Sequence, residues 1–219
     1  MQDLDKWVSL HGNGAYGSGS ETAGNYGNYE IPEIPGIQQI REEIQDFVAL
    51  LISEELTCSM LEIGLGYYGS THFLWRLFFD RVITVEKIHE RIRAFGKNTK
   101  DFYGKWVLND QKSSFLIGMS NDTSTVRKAY ELVVKMNGID VLFIDGDHSY
   151  EAVLADWLLY SPLVKKDGIV AFHDSTLLGP DLGVPQLLDK LSKGQIDGTK
   201  RDILQIDYSK NVGIAYYKK

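Results

Sequence analysis

The ten residues from Met60 to Gly69 have the sequence MLEIGLGYYG, an apolar run that contains one acid and ends in three glycines. Apolar residues with a single acid are typical of a buried strand. Glycines at the carboxyl end of such a strand allow a ligand to lie against bare backbone at the start of the next helix. This stretch therefore predicts a nucleotide-type binding site.

Outward from this stretch, strand-like and helix-like segments alternate along the chain. Strands are predicted at Met60–Gly64, Arg81–Glu86, Ser114–Gly118, Asp140–Asp145 and Gly168–His173. Helices are predicted between and after them, near Ser70–Phe79, His89–Lys97, Thr123–Met136 and Tyr150–Leu159. Alternation of this kind indicates a parallel sheet with helices on both faces.

The regular alternation of strands and helices ends in the last part of the chain. A predicted helix at Val184–Ser192 leads to two strands, Asp202–Asp207 and Val212–Tyr217, joined by a short turn at residues 208–211. Five parallel strands and a closing hairpin give seven strands. The predicted fold class is α/β, a Rossmann-like, doubly wound seven-stranded sheet that is mostly parallel with a C-terminal antiparallel hairpin strand.

Length and composition fit one globular domain, because 219 residues with 43% hydrophobic content are too few for two full domains and a linker. The amino terminus differs, since residues 11–29 are rich in Gly, Asn, Ser and Tyr. We expect residues 1–36 to form an extension, either a mobile tail or a lid over a ligand. Residues 37–219 are expected to form the domain, beginning with an amphipathic helix that includes Ile37 to Leu51.

Charge and cysteine content limit the partners and the compartment. A net charge of −7 without a long basic run argues against nucleic acid or an anionic membrane as the main partner, so a small molecule is the default. The lone Cys58 cannot form an internal disulfide, and no signal peptide or membrane-length apolar run is visible, which is typical of a cytoplasmic protein. Cys58 precedes an apolar strand and is expected to be buried. No motif decides the oligomeric state, and a homo-oligomer stays open.

Two acids are candidates for binding a nucleotide. Glu86 ends the second predicted strand, where a carboxylate can accept hydrogen bonds from both hydroxyls of a ribose. Glu62, among apolar neighbours, would be buried and would need a partner such as a cofactor ammonium group or backbone N–H groups. Gly64, Gly66 and Gly69 also spell GxGxxG, so a nicotinamide dehydrogenase is an alternative. The charge of Glu62 near a pyrophosphate and the lack of a separate substrate domain argue against it.

Three further side chains are predicted to meet at the carboxyl edge of the sheet. Asp145 ends the fourth predicted strand, and His173 and Asp174 end the fifth. Adjacent parallel strands lie ~4.8 Å apart, so these groups can converge. Two carboxylates suit Mg²⁺, Mn²⁺ or Ca²⁺, and direct binding by His173 would shift the preference toward Mn²⁺, Fe²⁺ or Zn²⁺. Mg²⁺ and Mn²⁺ are the first choices. In the metal-free alternative, His173 bonds a neighbour and Asp174 caps the following segment.

A candidate general base follows the fourth strand. His148 begins the loop into the next helix, and an ordinary imidazole pKa of ~6.5 suits a base at neutral pH. Asp147 is a competing base, and His148 could alternatively cap the helix or support the metal. His11, His72 and His89 have no convergent partners in the sequence and are interpreted as surface or packing residues.

The layout resembles the class I S-adenosylmethionine-dependent methyltransferases, over about residues 37–219. The segment Glu62–Gly66 matches the first motif of that superfamily, and Glu86 matches its ribose-binding acid. The stretches FIDGDHSYE at 143–151 and VAFHDS at 170–175 resemble the branch that contains cephalosporin-hydroxylase-like proteins and macrolide-sugar O-methyltransferases. Members of that branch are similar to catechol O-methyltransferase in using a divalent metal.

The resemblance implies methyl transfer from S-adenosylmethionine to a hydroxyl of a small molecule, with a saccharide favoured and a divalent metal assisting. It implies cofactor contacts from Glu62, Gly64, Gly66, Gly69, Ser70, Glu86, Met119, Ser120 and Asp145. Adenine would lie beside Met119 and Ser120, although these residues fit a helix entry equally well. The implied metal ligands are Asp145, His173 and Asp174, and related enzymes have a carboxylate where His173 stands. His148 would be the catalytic base, matching a histidine of the macrolide-sugar enzymes; a non-catalytic S-adenosylmethionine-binding protein is a further alternative.

Overall fold

The centre of the structure is a seven-stranded sheet. The strands are β1 (Ser59–Ile63), β2 (Arg81–Glu86), β3 (Ser113–Ile117), β4 (Ile139–Ile144), β5 (Val164–His173), β6 (Leu204–Ile206) and β7 (Ile214–Lys218). Their order is β3-β2-β1-β4-β5-β7-β6; β1 to β5 pair in parallel, and β7 lies antiparallel between β5 and β6. The predicted fold class is therefore confirmed.

This computed structural model describes residues 39–66, 69–93, 111–179, 182–208 and 212–219. The expected extension at residues 1–36 lies outside the described residues, as does the end of the helix expected at His89–Lys97, of which residues 89–93 are helical. The other helices are α1 (Arg41–Ser53), α2 (Ser70–Phe78), α3 (Thr123–Val134), α4 (Tyr150–Tyr160) and α5 (Val184–Ser192). Within the described ranges, no helix has the length and apolar character needed to cross a membrane.

Both faces of the sheet are buried, because helices pack on each side of it. Alternate residues of each strand point to opposite faces and so contact different helices. Leu142 and Ile144 of β4 face α3, α4 and α5, whereas Val141 and Phe143 face α1 and α2. Strands covered on both sides must be apolar nearly throughout, which is why β4 is apolar at every position but Asp140. The two helical layers leave the carboxyl edge of the sheet open.

The structure differs from the sequence expectations at three places. β5 begins at Val164 rather than Gly168, because its pairing with β4 shifts register between Ile139 and Val141 and takes in four more residues. The connection between β6 and β7 is longer than the predicted turn, spanning residues 207–213, and part of it lies outside the description. Cys58 is exposed rather than buried.

Glu62 lies in a buried polar network between β1, β2 and α2. One of its carboxylate oxygens accepts the indole N–H of Trp75 at 3.0 Å, and the other accepts the Thr84 hydroxyl at 2.8 Å. Nδ1 of His72 lies 2.6 Å from that hydroxyl, and its Nε2 lies 2.9 Å from the hydroxyl of Ser113. The partner that we expected from a cofactor is thus supplied by the protein. His72, interpreted as a surface or packing residue, is fully buried and bonded.

Burial raises the pKa of Glu62 from 4.5 to about 8, against the opposing effect of the Thr84 hydroxyl. The folded protein therefore binds a proton here that the unfolded chain releases, so stability is full below pH 4.5 and falls as the pH rises toward 8. Glu62→Gln introduces a neutral side chain of the same shape. We expect this variant to lack the pH-dependent loss of unfolding free energy, which is on the order of a few kcal/mol in the wild type. Urea unfolding across that pH range measures it.

The matched control is Glu131→Gln, which alters an exposed acid paired with Arg127. This variant should retain the wild-type pH dependence of the free energy of unfolding. Equal pH slopes for wild type and Glu62→Gln would contradict the assignment of a protonated Glu62.

Candidate active site

A cavity of about 630 Å³ opens at the carboxyl edge of β1 to β5. Its volume lies in the range of small-molecule and cofactor sites. The predicted site residues that line it are Gly64, Gly66, Glu86, Met119, Ser120, Asp145, His148, His173 and Asp174. Three predicted cofactor residues do not line it, namely Glu62, Gly69 and Ser70. Gly69 is the N-cap of α2, and Ser70 is its first residue.

The turn after β1 packs directly on the loop after β4. Gly64 has φ +96°, and a Cβ there would lie 2.1 Å from the carbonyl oxygen of Asp145. Its N–H donates to the carbonyl of Val85 at 2.9 Å, which joins the same turn to the end of β2. Because a side chain at Gly64 would collide with backbone, glycine brings three strand ends together around the cavity.

Glu86 links the ends of β1 and β2. Its carboxylate accepts the backbone N–H of Leu65 at 3.1 Å and that of Ile88 at 2.8 Å. Nη1 of Arg91 lies 3.5 Å from Oε2 of Glu86. A carboxylate has about four acceptor positions, so Glu86 can also accept hydroxyl donors from a ligand. The residue is buried, which is the environment in which such hydrogen bonds are strong.

The loop after β3 forms the far end of the cavity. Met119, Ser120 and Asn121 line it, and Asp122 is the N-cap of α3, so neither Ser120 nor Asn121 is the cap that the sequence allowed. The hydroxyl of Tyr160 donates to the carbonyl of Ser120 at 2.6 Å. Helix α4 therefore anchors this loop.

Two carboxylates and two imidazoles meet at the opposite end. Nδ1 of His173 lies 3.2 Å from Oδ1 of Asp145 and 3.3 Å from Oδ2 of Asp174. Nε2 of His148 lies 2.8 Å from the same oxygen of Asp174 and 3.8 Å from that of Asp145. The other oxygen of Asp145 accepts the side-chain amide of Gln39 at 3.0 Å. The predicted convergence of Asp145, His173 and Asp174 is therefore present in the structure, and His148 joins these three side chains.

The charges in this cluster are mutually stabilising. Contacts with Asp145 and Asp174 raise the pKa of His148 to about 10. Burial alone would lower the pKa of His173, but the same two carboxylates hold it well above its ordinary value. Burial alone would likewise raise the pKa of Asp145 and of Asp174, but His173 lowers both. Each of these pKa shifts favours the charged form of its group.

The donor set fits a divalent cation. Asp145, His148 and Asp174 offer ligand atoms that all lie within 4.8 Å of one another. In the part of the chain that the structure describes, the Nε2 atoms of His148 and His173 are buried without a well-aligned hydrogen bond, despite the short approach of His148 to Asp174. Oxygen donors with an imidazole suit Mg²⁺ or Mn²⁺. The sequence predicted His173 as the imidazole ligand, whereas the group that meets this distance contains His148.

The sequence did not identify several residues of the site. Lys87, Arg91, Asn121 and Leu182 line the cavity, and Gln39 bonds the carboxylate of Asp145. Lys87 directly follows Glu86, the acid at the end of β2. This position beside a predicted ligand-binding acid is the signal by which the sequence could have identified Lys87 as a lining residue. Gln39 lies 106 residues before its partner, and no motif surrounds it.

A family model described as a methyltransferase domain matches residues 61–175, more than half of the chain. The match begins in β1 and ends just after Asp174, so it includes the glycine turn, Glu86 and the whole acidic and imidazole cluster.

Solved structures share the fold at low sequence identity. The O-methyltransferase from Bacillus cereus in complex with SAH is 15% identical, with a TM-score of 0.57 over 100% of this chain and 91% of that one. The MycE methyltransferase of the mycinamycin pathway, in complex with Mg, SAH and mycinamycin VI, is 16% identical with a TM-score of 0.53, over 80% of this chain and 48% of that one. This chain therefore matches about half the length of MycE.

Among curated proteins, the uncharacterized protein R132 of Acanthamoeba polyphaga mimivirus is 55% identical over 38 residues, which are 17% of each chain. So short a match shows a shared segment and carries no activity with it. The family match and the strand order agree with each other. The chain belongs to the methyltransferase-domain family and has the fold of the class I S-adenosylmethionine-dependent methyltransferases.

Proposed function

We propose that this protein transfers a methyl group from S-adenosylmethionine to a hydroxyl group of a small molecule, and that a divalent cation assists. One observation carries the proposal: a cavity of nucleoside size ends at a cluster of two carboxylates and two imidazoles. The first part of the cavity suits a nucleoside, and the second suits activation of a hydroxyl.

The order of the strands arranges the donor site along the sheet edge. Ser120 follows β3, Glu86 ends β2, Gly64 follows β1 and Asp145 follows β4, and these strands are neighbours in this order. A nucleoside whose ribose meets Glu86 would extend its base toward Ser120 and its 5′ substituent toward Asp145. The reactive end of the donor would therefore face the cluster.

Asp145 and Asp174, together with an imidazole nitrogen, would hold the cation. When bound, a cation there would make a nearby hydroxyl more acidic, an effect that matters because water itself has a pKa of ~15.7. His173 is the deeper imidazole, with its side chain 5% exposed, and we assign it to the ligand set. His148 has a side chain that is 37% exposed and faces the cavity.

We assign His148 as the base that accepts the proton of the acceptor hydroxyl. A pKa of about 10 would keep it protonated at neutral pH, so it can accept a proton only when the charges of Asp145 and Asp174 are engaged elsewhere. A divalent cation on these carboxylates would meet that requirement. The two proposals, cation and base, therefore support each other through the same pair of aspartates.

The acceptor that best fits the cluster is a small molecule with two neighbouring oxygens, and a saccharide diol is our first choice. Two adjacent oxygens can approach a cation together, which orients one of them for in-line attack. The MycE complex that shares this fold contains Mg, SAH and mycinamycin VI, so a metal ion, SAH and a small molecule occur together in that protein.

The donor proposal predicts that S-adenosylhomocysteine binds and NAD does not. By isothermal titration calorimetry, we expect Glu86→Gln to weaken S-adenosylhomocysteine binding roughly tenfold or more, because the ribose loses a charged acceptor. Glu90→Gln, which changes a neighbouring exposed acid, is the control and should bind as the wild type does. Binding of NAD instead would favour a dehydrogenase and overturn the proposal.

The assignment of His148 and His173 predicts different effects on metal binding and on turnover. Titration with Mn²⁺ should show affinity weakened roughly tenfold or more by Asp174→Asn and by His173→Ala, but little changed by His148→Ala. Methyl transfer to a panel of glycosides, nucleotide sugars and catechols should fall roughly 10²–10⁴-fold in His148→Ala and stop in EDTA. The control is His89→Ala, at an exposed histidine outside the cavity.

Two results would contradict these assignments. Full activity of Asp174→Asn in EDTA would end the metal hypothesis. Mn²⁺ affinity lost in His148→Ala to the same degree as in Asp174→Asn would make His148 a ligand rather than the base.

A further inference from the structure

Gln39 is a buried amide that contacts Asp145 at the edge of the cluster. It lies two residues before α1, and none of its surface is exposed. Its Nε2 atom donates to Oδ2 of Asp145 at 3.0 Å. Its Oε1 atom is buried and has no hydrogen-bond partner among the described residues. A buried amide that leaves an acceptor unmet is costly, so its bond to Asp145 needs an explanation.

The two oxygens of Asp145 have different surroundings. Oδ1 lies 3.2 Å from Nδ1 of His173 and 3.8 Å from Nε2 of His148. The same two nitrogens lie 3.3 Å and 2.8 Å from Oδ2 of Asp174. One oxygen of each aspartate therefore meets the imidazoles, whereas the second oxygen of Asp145 is bonded to Gln39.

We propose that Gln39 is a positioning residue that restricts Asp145 to a single ligand oxygen, Oδ1, at the cation site. The inference rests on the proposed function, which puts a divalent cation on Asp145 and Asp174. Gln39 would touch neither the cation nor the substrate, because it acts through the carboxylate of Asp145.

The restriction follows from the burial of the amide. An ionised carboxylate can bind a cation through one oxygen or through both. To present both oxygens to one cation, the carboxylate of Asp145 would have to turn and carry Oδ2 away from Gln39. The amide of Gln39 is fully buried, so its N–H group would lose its partner without gaining water. Binding through Oδ1 alone keeps this hydrogen bond and is therefore favoured.

The restriction affects cations differently. Mg²⁺ and Mn²⁺ accept octahedral sites built from single carboxylate oxygens and water, whereas Ca²⁺ takes about six to eight oxygens and readily uses both oxygens of a carboxylate. An Asp145 that offers one oxygen therefore disfavours Ca²⁺ relative to Mn²⁺. The ratio of the two affinities reports the restriction, because a general loosening of the site changes both affinities together.

The test is calorimetric titration of the protein with Mn²⁺ and with Ca²⁺. Gln39→Met keeps nearly the length of the side chain and removes both the donor and the unmet acceptor. We expect this variant to bind Mn²⁺ roughly tenfold or more weakly, because Asp145 loses its orientation. Ca²⁺ should lose less, because the freed Oδ2 becomes a further ligand, so the preference for Mn²⁺ should fall at least about fivefold. Gln39→Asn, whose amide is one methylene group closer to the backbone, should shift the preference in the same direction.

Glu43→Gln is the matched control. Glu43 is fully buried in the first turn of α1, and its carboxylate accepts the backbone N–H groups of Tyr208 at 2.9 Å and of Gly213 at 3.2 Å. The substitution loosens the start of the same helix but leaves the bond from Gln39 to Asp145. The affinities for Mn²⁺ and Ca²⁺ should change by the same factor, with the preference unchanged.

The outcomes separate the two proposals. If the wild type binds Mn²⁺ and both Gln39 variants retain its full preference over Ca²⁺, Gln39 merely packs beside the site and the inference is overturned. A wild type that binds both cations equally well overturns it too. If the folded wild type binds neither cation, the cation site of the proposed function is contradicted, and the inference fails with it.

Discussion

The close approach of Gly64 to the backbone of Asp145 is the constraint on which the rest of the site depends. It requires a residue without a Cβ at the end of β1, because a Cβ would lie 2.1 Å from the carbonyl oxygen of Asp145. The parallel register sets the two loops side by side, since Ile63 pairs with Ile144 immediately before each loop begins. The end of the cavity beside Glu86 and the end beside Asp145 and Asp174 are therefore joined through this one contact between backbones, and the distance between them does not depend on a flexible connection.

The buried polar network of Glu62 lies next to the glycine turn, between β1, β2 and α2, and holds these elements in place. Glu62 and Thr84 are direct partners in the register of β1 and β2, and Trp75 reaches Glu62 from α2. A fully bonded polar group in an apolar layer favours one arrangement of its neighbours, because any other leaves it unsatisfied. The acid of the motif thus supports the strand and helix that carry the glycine turn, rather than touching a ligand itself.

The two ends of the cavity differ in their electrostatics. At one end, Asp145 and Asp174 each face both imidazoles, and the pKa values of all four groups are displaced in the direction that keeps them charged. At the other end, burial raises the pKa of Asp156 to about 6, so the pKa of this carboxyl is displaced in the opposite direction. The first arrangement suits exchange of protons for a cation.

The sequence by itself determined the succession of strands and helices along the chain, the glycine turn, Glu86 and the convergence of Asp145, His173 and Asp174. Apolar periodicity identifies the strands, and parallel pairing brings their carboxyl ends to one edge. Tertiary structure alone decided the partners of Glu62, the burial of His72, the bond from Gln39 to Asp145 and the contact of His148 with Asp174. These contacts join residues distant in the chain or on different elements. Local pattern reports which face of an element is apolar, but it does not report which polar group of another element comes to lie against it.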